Sequence, residues 1–474
     1  MIVSHPTLPG GALCGIAASL ATLGTSATRR PAPCGLVSPR FRAGPIRSWL
    51  SLGRAHLALK GEACARPVVK PWRRLLILLA TLVLAWPGQA DEAAIRLAAT
   101  DNRFPSPDAL LAKTLQEIRA SRLDTALNNV NQLISMRPDF RLAHLIRGDL
   151  LLARARPLST MGEAPRASPA SLSDLREEAR VRLLRYLDQP EAGYLPKQVL
   201  QLAPEHKYAL LADAARARLY VFENVNGVPR LVRDYYMTIG RNGTDKKVEG
   251  DKKTPVGVYT VSQHLPRQRL SDFYGSGAYP LNYPNEWDRL HGRSGHGIWI
   301  HGTPSNTYSR PPRASDGCVV LANPDLDDLG RYIEVGKTPI IIADRTEWVD
   351  PVSWEMQRQE ILAMLELWRT DWEAREAQRF LRHYVPEMLD KTWAANKRRN
   401  IENKAWIRVE LSDVSVFLYP DARLAVTSFT QGYTSDSFSN STPKRLYWRL
   451  DDGQWRIALE QALQTKTQLA ARGR

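Results

Sequence analysis

The chain has 474 residues, of which 43% are hydrophobic and 24% are charged, a composition that excludes a disordered chain and a multi-span membrane protein. A single hydrophobic core rarely grows past about 250 to 300 residues, so this length predicts several domains. The formal net charge is +16, but residues 1–90 contain eleven Lys or Arg and only one Glu. The rest of the chain therefore carries only a small excess of positive charge, and we expect no nucleic-acid partner.

The first ninety residues divide into two segments. Residues 1–70 are rich in Pro, Gly, Ser, Ala and Arg without periodicity, which predicts a disordered extension or a stretch upstream of a misplaced start codon. Residues 71–90 match a secretory signal peptide, because two arginines precede the apolar run 75–86 and small residues precede Asp91. That run is shorter than the roughly 20 residues of a membrane-spanning helix. We therefore predict export with cleavage before Asp91, and an uncleaved membrane anchor is the alternative.

Residues 91–200 are predicted to form an α-helical arm. Apolar residues recur at helical spacing, and the segment 110–154 resembles one tetratricopeptide-type helix pair followed by a third helix. Pro138 ends the second helix, and the Pro-, Ser- and Ala-rich stretch 156–171 indicates a linker. Because one such repeat cannot bury its apolar face alone, we expect packing on another domain or dimerisation, in preference to a peptide-binding groove.

A mostly β domain is predicted for residues 205–345. Asn226-Gly227 is typical of a tight hairpin turn, and only 324–332 has a helical pattern. We expect the strands to form a rigid frame whose loops carry the functional residues. The predicted strands are 208–213, 218–223, 231–239, 257–263, 297–301, 319–321 and 339–344.

Residues 352–462 are predicted to form a further domain. An amphipathic helix runs through 361–368, and a second lies around 375–384. Helices followed by an antiparallel meander are typical of a cone-shaped α+β domain. The predicted strands are 407–411, 414–419, 423–433, 444–450 and 454–458.

Cysteine usage singles out one thiol. Cys14, Cys34 and Cys64 precede the predicted cleavage point, so Cys318 has no disulfide partner in the exported chain. A lone thiol in an oxidising compartment is either buried and inert or used in chemistry. The residues around Cys318 favour chemistry.

The stretch 297–321 contains residues suited to nucleophilic catalysis. His301 ends a predicted strand and Cys318 follows seventeen residues later, so both can meet at one sheet edge. A thiol with an ordinary pKa of about 8.5 needs an adjacent base, and His301 is the candidate. The Gly302 carbonyl can hold the imidazole in the required tautomer.

The residues before Cys318 form a candidate nucleophile loop, consisting of Ser315, Asp316 and Gly317. Gly317 allows the backbone to turn tightly. The amides of residues 316–318 can then face a developing oxyanion.

These residues resemble the motif of the L,D-transpeptidase catalytic domain family (YkuD type), in which a His-Gly pair precedes Ser-x-Gly-Cys. The segment GDKKTPVGVYTV, residues 250–261, is similar to the family's Gly-Asp-x-x-Thr-Pro-x-Gly element. The resemblance covers about residues 207–344. It implies a β-sandwich-like fold with His301 as base, Gly302 as the orienting carbonyl and Cys318 as nucleophile.

The resemblance implies that the protein acts on peptidoglycan in the periplasm. Cys318 would attack the carbonyl of the third residue of a tetrapeptide stem, release the terminal D-alanine and form a thioester. An amine acceptor makes such an enzyme an L,D-transpeptidase of wall synthesis or remodelling, and water makes it an L,D-carboxypeptidase that trims stems. A non-catalytic wall-binding scaffold is a further alternative. A papain-type protease is disfavoured because its sequence context is missing.

Two positions depart from the family pattern. Many members read Ser-His-Gly-Cys-Ile-Arg, whereas this chain has Asp316 and Val320, so the family's arginine is missing. If that arginine holds a substrate carboxylate or stabilises the loop, we expect Arg310, Arg313 or a residue of a neighbouring domain to take its place, or the substrate preference to differ.

Aromatic residues and histidines near the site have less specific interpretations. Trp299 and Tyr279 are candidates for the wall of the stem-peptide groove, with core packing as the alternative. His291 and His296 lie ahead of His301, but no Cys, Asp or Glu at ligand spacing completes a metal cluster. We expect neither a metal nor another cofactor.

The carboxyl-terminal domain resembles the nuclear-transport-factor-2-like domain appended to some of these enzymes, on the segments LELWRTDWEARE and VSVFLYPDARLAVTSFTQGY. Members with an arm, a catalytic domain and a cone in this order are linked to cell-shape control, which the resemblance extends to this chain. The expected partners are stem peptides. Another wall or envelope protein, or a second copy bound through the helical arm, is a further expectation.

Overall fold

The computed structural model describes residues 106–163 and 168–463 of the chain. The predicted extension 1–70 and signal peptide 71–90 lie outside these residues. All described residues belong to one compact unit. Within the described ranges, no helix combines the length and the apolar character needed to cross a membrane.

The amino-terminal part is helical, as predicted. Ser106 and Ser168 each accept a hydrogen bond from the amide three residues on, and a proline in the first turn of the same helices loses no backbone hydrogen bond. A tetratricopeptide character of the arm stays a prediction. The helices are α1 (Pro107–Arg119), α2 (Leu123–Met136), α3 (Arg141–Ala153) and α4 (Pro169–Leu187).

The prediction that the helical arm reaches residue 200 is wrong at its end. Two short strands, β1 (Leu195–Pro196) and β2 (Val199–Gln201), lie there instead. β2 pairs antiparallel with residues Val416 and Phe417 of the carboxyl-terminal domain. A partner so far along the chain leaves no mark on local periodicity, which is why the sequence pattern did not reveal these strands.

The next part of the chain is mostly β, as predicted. The strands are β3 (Tyr208–Asp213), β4 (Arg218–Val225), β5 (Val228–Tyr236), β6 (Ile239–Gly240), β7 (Gly257–Thr260), β8 (Leu265–Pro266), β9 (Gly277–Pro280), β10 (Trp299–His301), β11 (Arg313–Ser315), β12 (Val319–Val320), β13 (Pro339–Ala343) and β14 (Trp348–Val349). One sheet has the strand order β5-β4-β3-β13-β7, a second has the order β12-β10-β9-β8, and β6 pairs in parallel with β11. Asn226 and Gly227 have φ angles of 55° and 90°, the left-handed values that a tight hairpin turn between β4 and β5 requires.

Two helices interrupt these strands. The predicted helix at 324–332 is α6 (Asn323–Leu329), followed by a 3-10 turn. The other, α5 (Glu286–Leu290), was not predicted, because five residues are too few to show a period. Its start is fixed by a capping box in which Asn285 and Asp288 bond to each other's amides.

The carboxyl-terminal part contains helices followed by an antiparallel meander. The helices are α7 (Pro351–Glu373), α8 (Ala377–Leu381) and α9 (Lys391–Glu402), and the strands are β15 (Ile407–Leu418), β16 (Leu424–Ser435), β17 (Ser439–Asp451) and β18 (Gln454–Ala462). The two strands predicted at 407–411 and 414–419 are one strand, β15, with a bulge between Ser412 and Ser415. Helix α9 was not predicted, since most of its residues are polar.

The hydrophobic cores cross the expected domain boundaries. Side chains of β3, β4 and β13 share a core with Phe417 and Tyr447 of the carboxyl-terminal sheet. Tyr308 and Ala322 of the β domain belong to the core of the helical arm. The segments that contain Tyr308 and Ala322 are therefore packed against the helical arm.

Candidate active site

Strand pairing places the predicted base and nucleophile on neighbouring strands. β10 and β12 are parallel neighbours, with Ile300 opposite Val319 and His301 opposite Val320. Cys318 directly precedes β12, and the same register sets it level with Trp299 at the start of β10, two residues along the strand from His301. His301 and Trp299 are two residues apart on a strand and therefore share a face.

His301 is buried, with 1% of its surface exposed. Its Nδ1 lies 2.7 Å from the carbonyl oxygen of Gly302. A carbonyl can only accept, so Nδ1 carries the proton and Nε2 is left as the basic nitrogen. Burial, with a further effect of Arg310, lowers the pKa of His301 to about 4. The imidazole is therefore neutral at physiological pH.

Cys318 is half-buried, and its Sγ lies 3.3 Å from the carbonyl oxygen of Gly297, to which the thiol donates. Burial raises the pKa of the thiol, while the Trp299 amide and the Arg310 guanidinium act in the opposite direction. The resting side chain is a thiol and not a thiolate. Nucleophilic attack then requires a base, which is the role available to His301.

The loop before Cys318 is fixed by side-chain hydrogen bonds. Ser315 Oγ accepts from the Gly317 amide at 3.1 Å and donates to the Cys318 carbonyl at 2.6 Å. Gly317 has a φ of 128°, and a Cβ there would lie 2.7 Å from the Lys253 carbonyl oxygen. Only glycine fits this turn without displacing the backbone.

The segment 250–261 braces the same loop. Thr254 Oγ1 donates to the Gly317 carbonyl at 2.9 Å and accepts from the Gly240 amide at 2.9 Å. Asp251 accepts hydrogen bonds from the amides of Lys247, Val248 and Lys253, which folds the segment into a turn. The segment 250–261 and the nucleophile loop, which are separate motifs in the sequence, are thus hydrogen-bonded to each other in the fold.

Asn323 also supports the site, and sequence reasoning missed it. Its Oδ1 accepts from the Ser276 amide at 2.9 Å, and a Cβ on Gly302 or Gly275 would overlap that oxygen. Glycine at 302 therefore leaves room for the Asn323 side chain beside the end of β10, where His301 lies. Nothing in the local pattern distinguishes this asparagine from an ordinary residue at a helix start.

An aromatic wall flanks His301. Phe273 and Tyr274 lie 5.8 Å and 5.1 Å from the imidazole, and Tyr274 lies 4.9 Å from Trp299, between ring centroids. Phe273 is half-exposed. The pair Phe273-Tyr274 was missed, although two adjacent aromatic residues in a Gly- and Ser-rich turn are a usable signal.

Tyr279 is not brought to this face. It lies opposite Ile300 in the β9–β10 pair, so its side chain shares the Ile300 face and packs against the core there. Its ring stacks on His264 at 4.8 Å. Trp299 is therefore the predicted aromatic residue that lies beside His301.

Of the two predicted arginines, Arg310 is the one near the nucleophile. Its Nη2 donates to the Ala314 carbonyl at 3.0 Å, and its Nε is buried without a hydrogen-bond partner. Its charge lowers the pKa values of both Cys318 and His301. Arg313 is exposed to solvent.

Asp316 is exposed and forms an ion pair with Arg241 at 3.0 Å. This contact places its carboxylate on the solvent side of the nucleophile loop. Among the described residues, no group of three or more His, Cys, Asp or Glu side chains is arranged to hold a metal ion. His291 instead bonds through Nδ1 to the Trp287 carbonyl at 2.9 Å.

Comparisons with known proteins relate two segments of the chain to known domain families. Residues 207–342 match the family model of the L,D-transpeptidase catalytic domain, YkuD, and residues 360–461 match that of the Cds6 C-terminal NTF2-like domain. YafK of Escherichia coli strain K12, assigned by name to the L,D-transpeptidases, is 30% identical over 88 residues. That match spans 19% of this chain and 31% of YafK.

Solved structures are similar over a longer range. Bd1075 of Bdellovibrio bacteriovorus is 26% identical with a TM-score of 0.52, and the match covers 58% of this chain and 99% of Bd1075. The helical cell shape determining protein Pgp2 of Campylobacter jejuni is 24% identical with a TM-score of 0.48, covering 56% of this chain and 95% of Pgp2.

Proposed function

We propose, from the premise that residues 207–342 are an L,D-transpeptidase catalytic domain of the YkuD type and residues 360–461 an NTF2-like domain, that this chain is a peptidoglycan L,D-transpeptidase with Cys318 as nucleophile. The observation that carries the proposal is the parallel pairing of β10 with β12. It supports the proposal because the buried, neutral His301 lies on the strand beside the one that Cys318 directly precedes.

The proposed reaction begins with proton transfer from the Cys318 thiol to Nε2 of His301. Sγ attacks the carbonyl carbon of the third stem residue, and the oxygen becomes an oxyanion that faces the amide of Cys318, because the Gly317 amide is already bonded to Ser315 Oγ. The intermediate collapses by breaking the C–N bond. The leaving D-alanine nitrogen takes the proton from the imidazolium, and a thioester remains on Sγ.

A second half-reaction releases the thioester. An amine of another stem attacks the thioester carbonyl, loses its proton to His301 and leaves a new amide, while Sγ regains a proton. Water in place of the amine gives a tripeptide and makes the enzyme an L,D-carboxypeptidase. The aromatic wall of Phe273, Tyr274 and Trp299 supports a peptide-binding role for this face.

Arg310 is proposed to bind a substrate carboxylate. Val320 stands where many family members have arginine, and the positive charge that acts on Cys318 comes from Arg310, on the loop after His301, instead. Its buried Nε without a partner is consistent with a donor that a bound carboxylate would satisfy.

Mass spectrometry of muropeptides incubated with the protein tests the proposal. We expect 3-3 linked dimers and released D-alanine, with no product from Cys318→Ala. His301→Gln should lower the rate by about a thousandfold, within the range for loss of a general base. His296→Gln, a histidine on an exposed loop, is the matched control and should retain the wild-type rate.

The other outcomes separate the alternatives. Tripeptides that depend on Cys318, without dimers, would mean that water resolves the thioester. An unchanged product pattern in Cys318→Ala would exclude this nucleophile. A folded protein without any activity would favour the wall-binding scaffold.

Export to the periplasm is part of the proposal and is supported by the sequence of residues 71–90. The expected amino terminus of the mature protein is Asp91. Intact-mass measurement on the protein from a periplasmic fraction checks this, and a mass that retains residues 71–90 would indicate an uncleaved anchor.

A further inference from the structure

The loop that follows His301 packs against the helical arm. The Tyr308 ring packs edge-on against Phe140 of the arm, with ring centroids 4.9 Å apart. The guanidinium groups of Arg137 and Arg182 lie 5.4 Å and 5.5 Å from the same ring. Tyr308 is buried and belongs to the arm's own core, so this part of the loop cannot move without the arm.

A buried carboxylate of the arm holds the next two residues of the loop. Glu178, on α4, has 0% of its surface exposed and accepts from Ser309 Oγ at 2.6 Å and from Arg182 Nε at 2.9 Å. The Arg310 amide also donates to it. Burial raises the pKa of Glu178, and Arg182 with these donors opposes the shift. A carboxylate is tolerated in such a place only when it is paired and fully hydrogen-bonded.

The backbone of Arg310 is therefore fixed on both sides. Its amide faces Glu178, and its carbonyl accepts from Tyr236 Oη at 2.7 Å. The Tyr236 ring in turn lies 3.8 Å from the guanidinium of Arg182. With the backbone held, the Arg310 side chain extends to Ala314 and to the surroundings of Cys318.

We propose that Glu178 is a positioning residue of the active site, which sets the place of the Arg310 guanidinium beside Cys318 through its hydrogen bonds to Ser309 and Arg310. The expected effect of Glu178 on turnover rests on the proposed function. The expected effect of Glu178 on the alkylation of Cys318 can be measured without a substrate. The helical arm thereby contributes to catalysis and not only to stability.

The first measurement is the alkylation rate of Cys318 by iodoacetamide as a function of pH, followed on the tryptic peptide that contains Cys318. Arg310→Ala removes a positive charge near the thiol and should lower the rate at pH 8 by about fivefold, because less thiolate forms. Glu178→Gln should lower it in the same direction. The double variant should react no more slowly than Arg310→Ala alone, because Glu178 acts through Arg310.

The second measurement repeats this cycle on D-alanine release. Glu178→Gln should reduce kcat/KM by about tenfold in the wild-type background and by less than about twofold in Arg310→Ala, the coupling expected within one hydrogen-bond network. Glu177→Gln is the matched control, because Glu177 is the adjacent, exposed residue paired with Arg180. If Glu178→Gln does not fold, Ser309→Ala removes one of the same hydrogen bonds and should show the same coupling.

The two measurements fail differently. Additive effects of Glu178→Gln and Arg310→Ala on alkylation would overturn the positioning role and reduce Glu178 to a structural residue. Coupled alkylation effects in a protein that releases no D-alanine would overturn the proposed function and retain the positioning role.

Discussion

At the scale of single residues, burial moves the pKa values of the proposed base and nucleophile in opposite directions. Burial lowers the pKa of His301 to about 4 and raises that of the Cys318 thiol. At neutral pH the imidazole can accept a proton and the thiol still holds one. The proposed catalytic pair is thus neutral at rest, unlike the thiolate–imidazolium pair of enzymes whose thiol pKa is strongly lowered.

The neutral pair predicts a specific pH dependence. His301 gains its proton only as the pH falls towards 4, so the acid limb of kcat/KM for D-alanine release should lie well below the ordinary histidine value of about 6.5. Alkylation of Cys318 should continue to rise through alkaline pH. A plateau of the alkylation rate at neutral pH would show a preformed thiolate and contradict this account.

At the scale of elements, the upstream segment and the nucleophile loop depend on one hydroxyl. Thr254 is fully buried, and its Oγ1 joins the Gly240 amide to the Gly317 carbonyl. Valine has the same shape and neither hydrogen bond. Two buried backbone groups would then lack partners, and each such group costs about 1 to 3 kcal/mol.

Thr254→Val should therefore lower the free energy of unfolding by about 2 kcal/mol or more, and should slow D-alanine release because Gly317 is no longer held. Thr254→Ser keeps the hydroxyl and is the control. Urea unfolding monitored by tryptophan fluorescence gives the first quantity, and a D-alanine assay gives the second. Equal losses in the two variants would mean that packing of the methyl group matters and the hydroxyl does not.

Local elements of the fold could be read from the sequence. β3 occupies the predicted residues 208–213, and the turn at Asn226-Gly227 follows from the left-handed backbone that this pair tolerates. The motif likewise predicts the pair of His301 and Cys318, because short spacing and glycines leave a local mark. These features depend on neighbours in the chain.

Features that depend on distant residues could not be read in this way. β2 is a strand only because β15 lies beside it, and the contact of Glu178 with Ser309 joins two domains. Asn323 supports the site only because the fold brings its side chain to Gly302 and to the Ser276 amide. The sequence also does not show which face of the sheet Tyr279 occupies, because that face is set by the register between β9 and β10.

At the scale of the whole molecule, the parts predicted as separate domains share their cores. Trp287 of the catalytic domain stacks on Tyr447 of the carboxyl-terminal sheet, with ring centroids 5.4 Å apart and an interplanar angle of 12°. Both rings lie in a core that includes strands of both domains. Domains joined in this way are expected to unfold together, because neither can expose its interface without losing core contacts.

Tyr447→Ala tests this coupling. Removing a fully buried aromatic side chain costs about 3 to 5 kcal/mol, so the variant should lower the unfolding temperature. Because the core is shared, the alkylation rate of Cys318 in the other domain should rise sharply at the same lowered temperature that calorimetry reports for the whole chain. Phe438→Ala, at a half-exposed ring between β16 and β17, is the control and should shift neither signal. The contrary result would be two calorimetric transitions, of which Tyr447→Ala shifts only one. If the alkylation of Cys318 then followed the unshifted transition, the catalytic domain would be stable on its own.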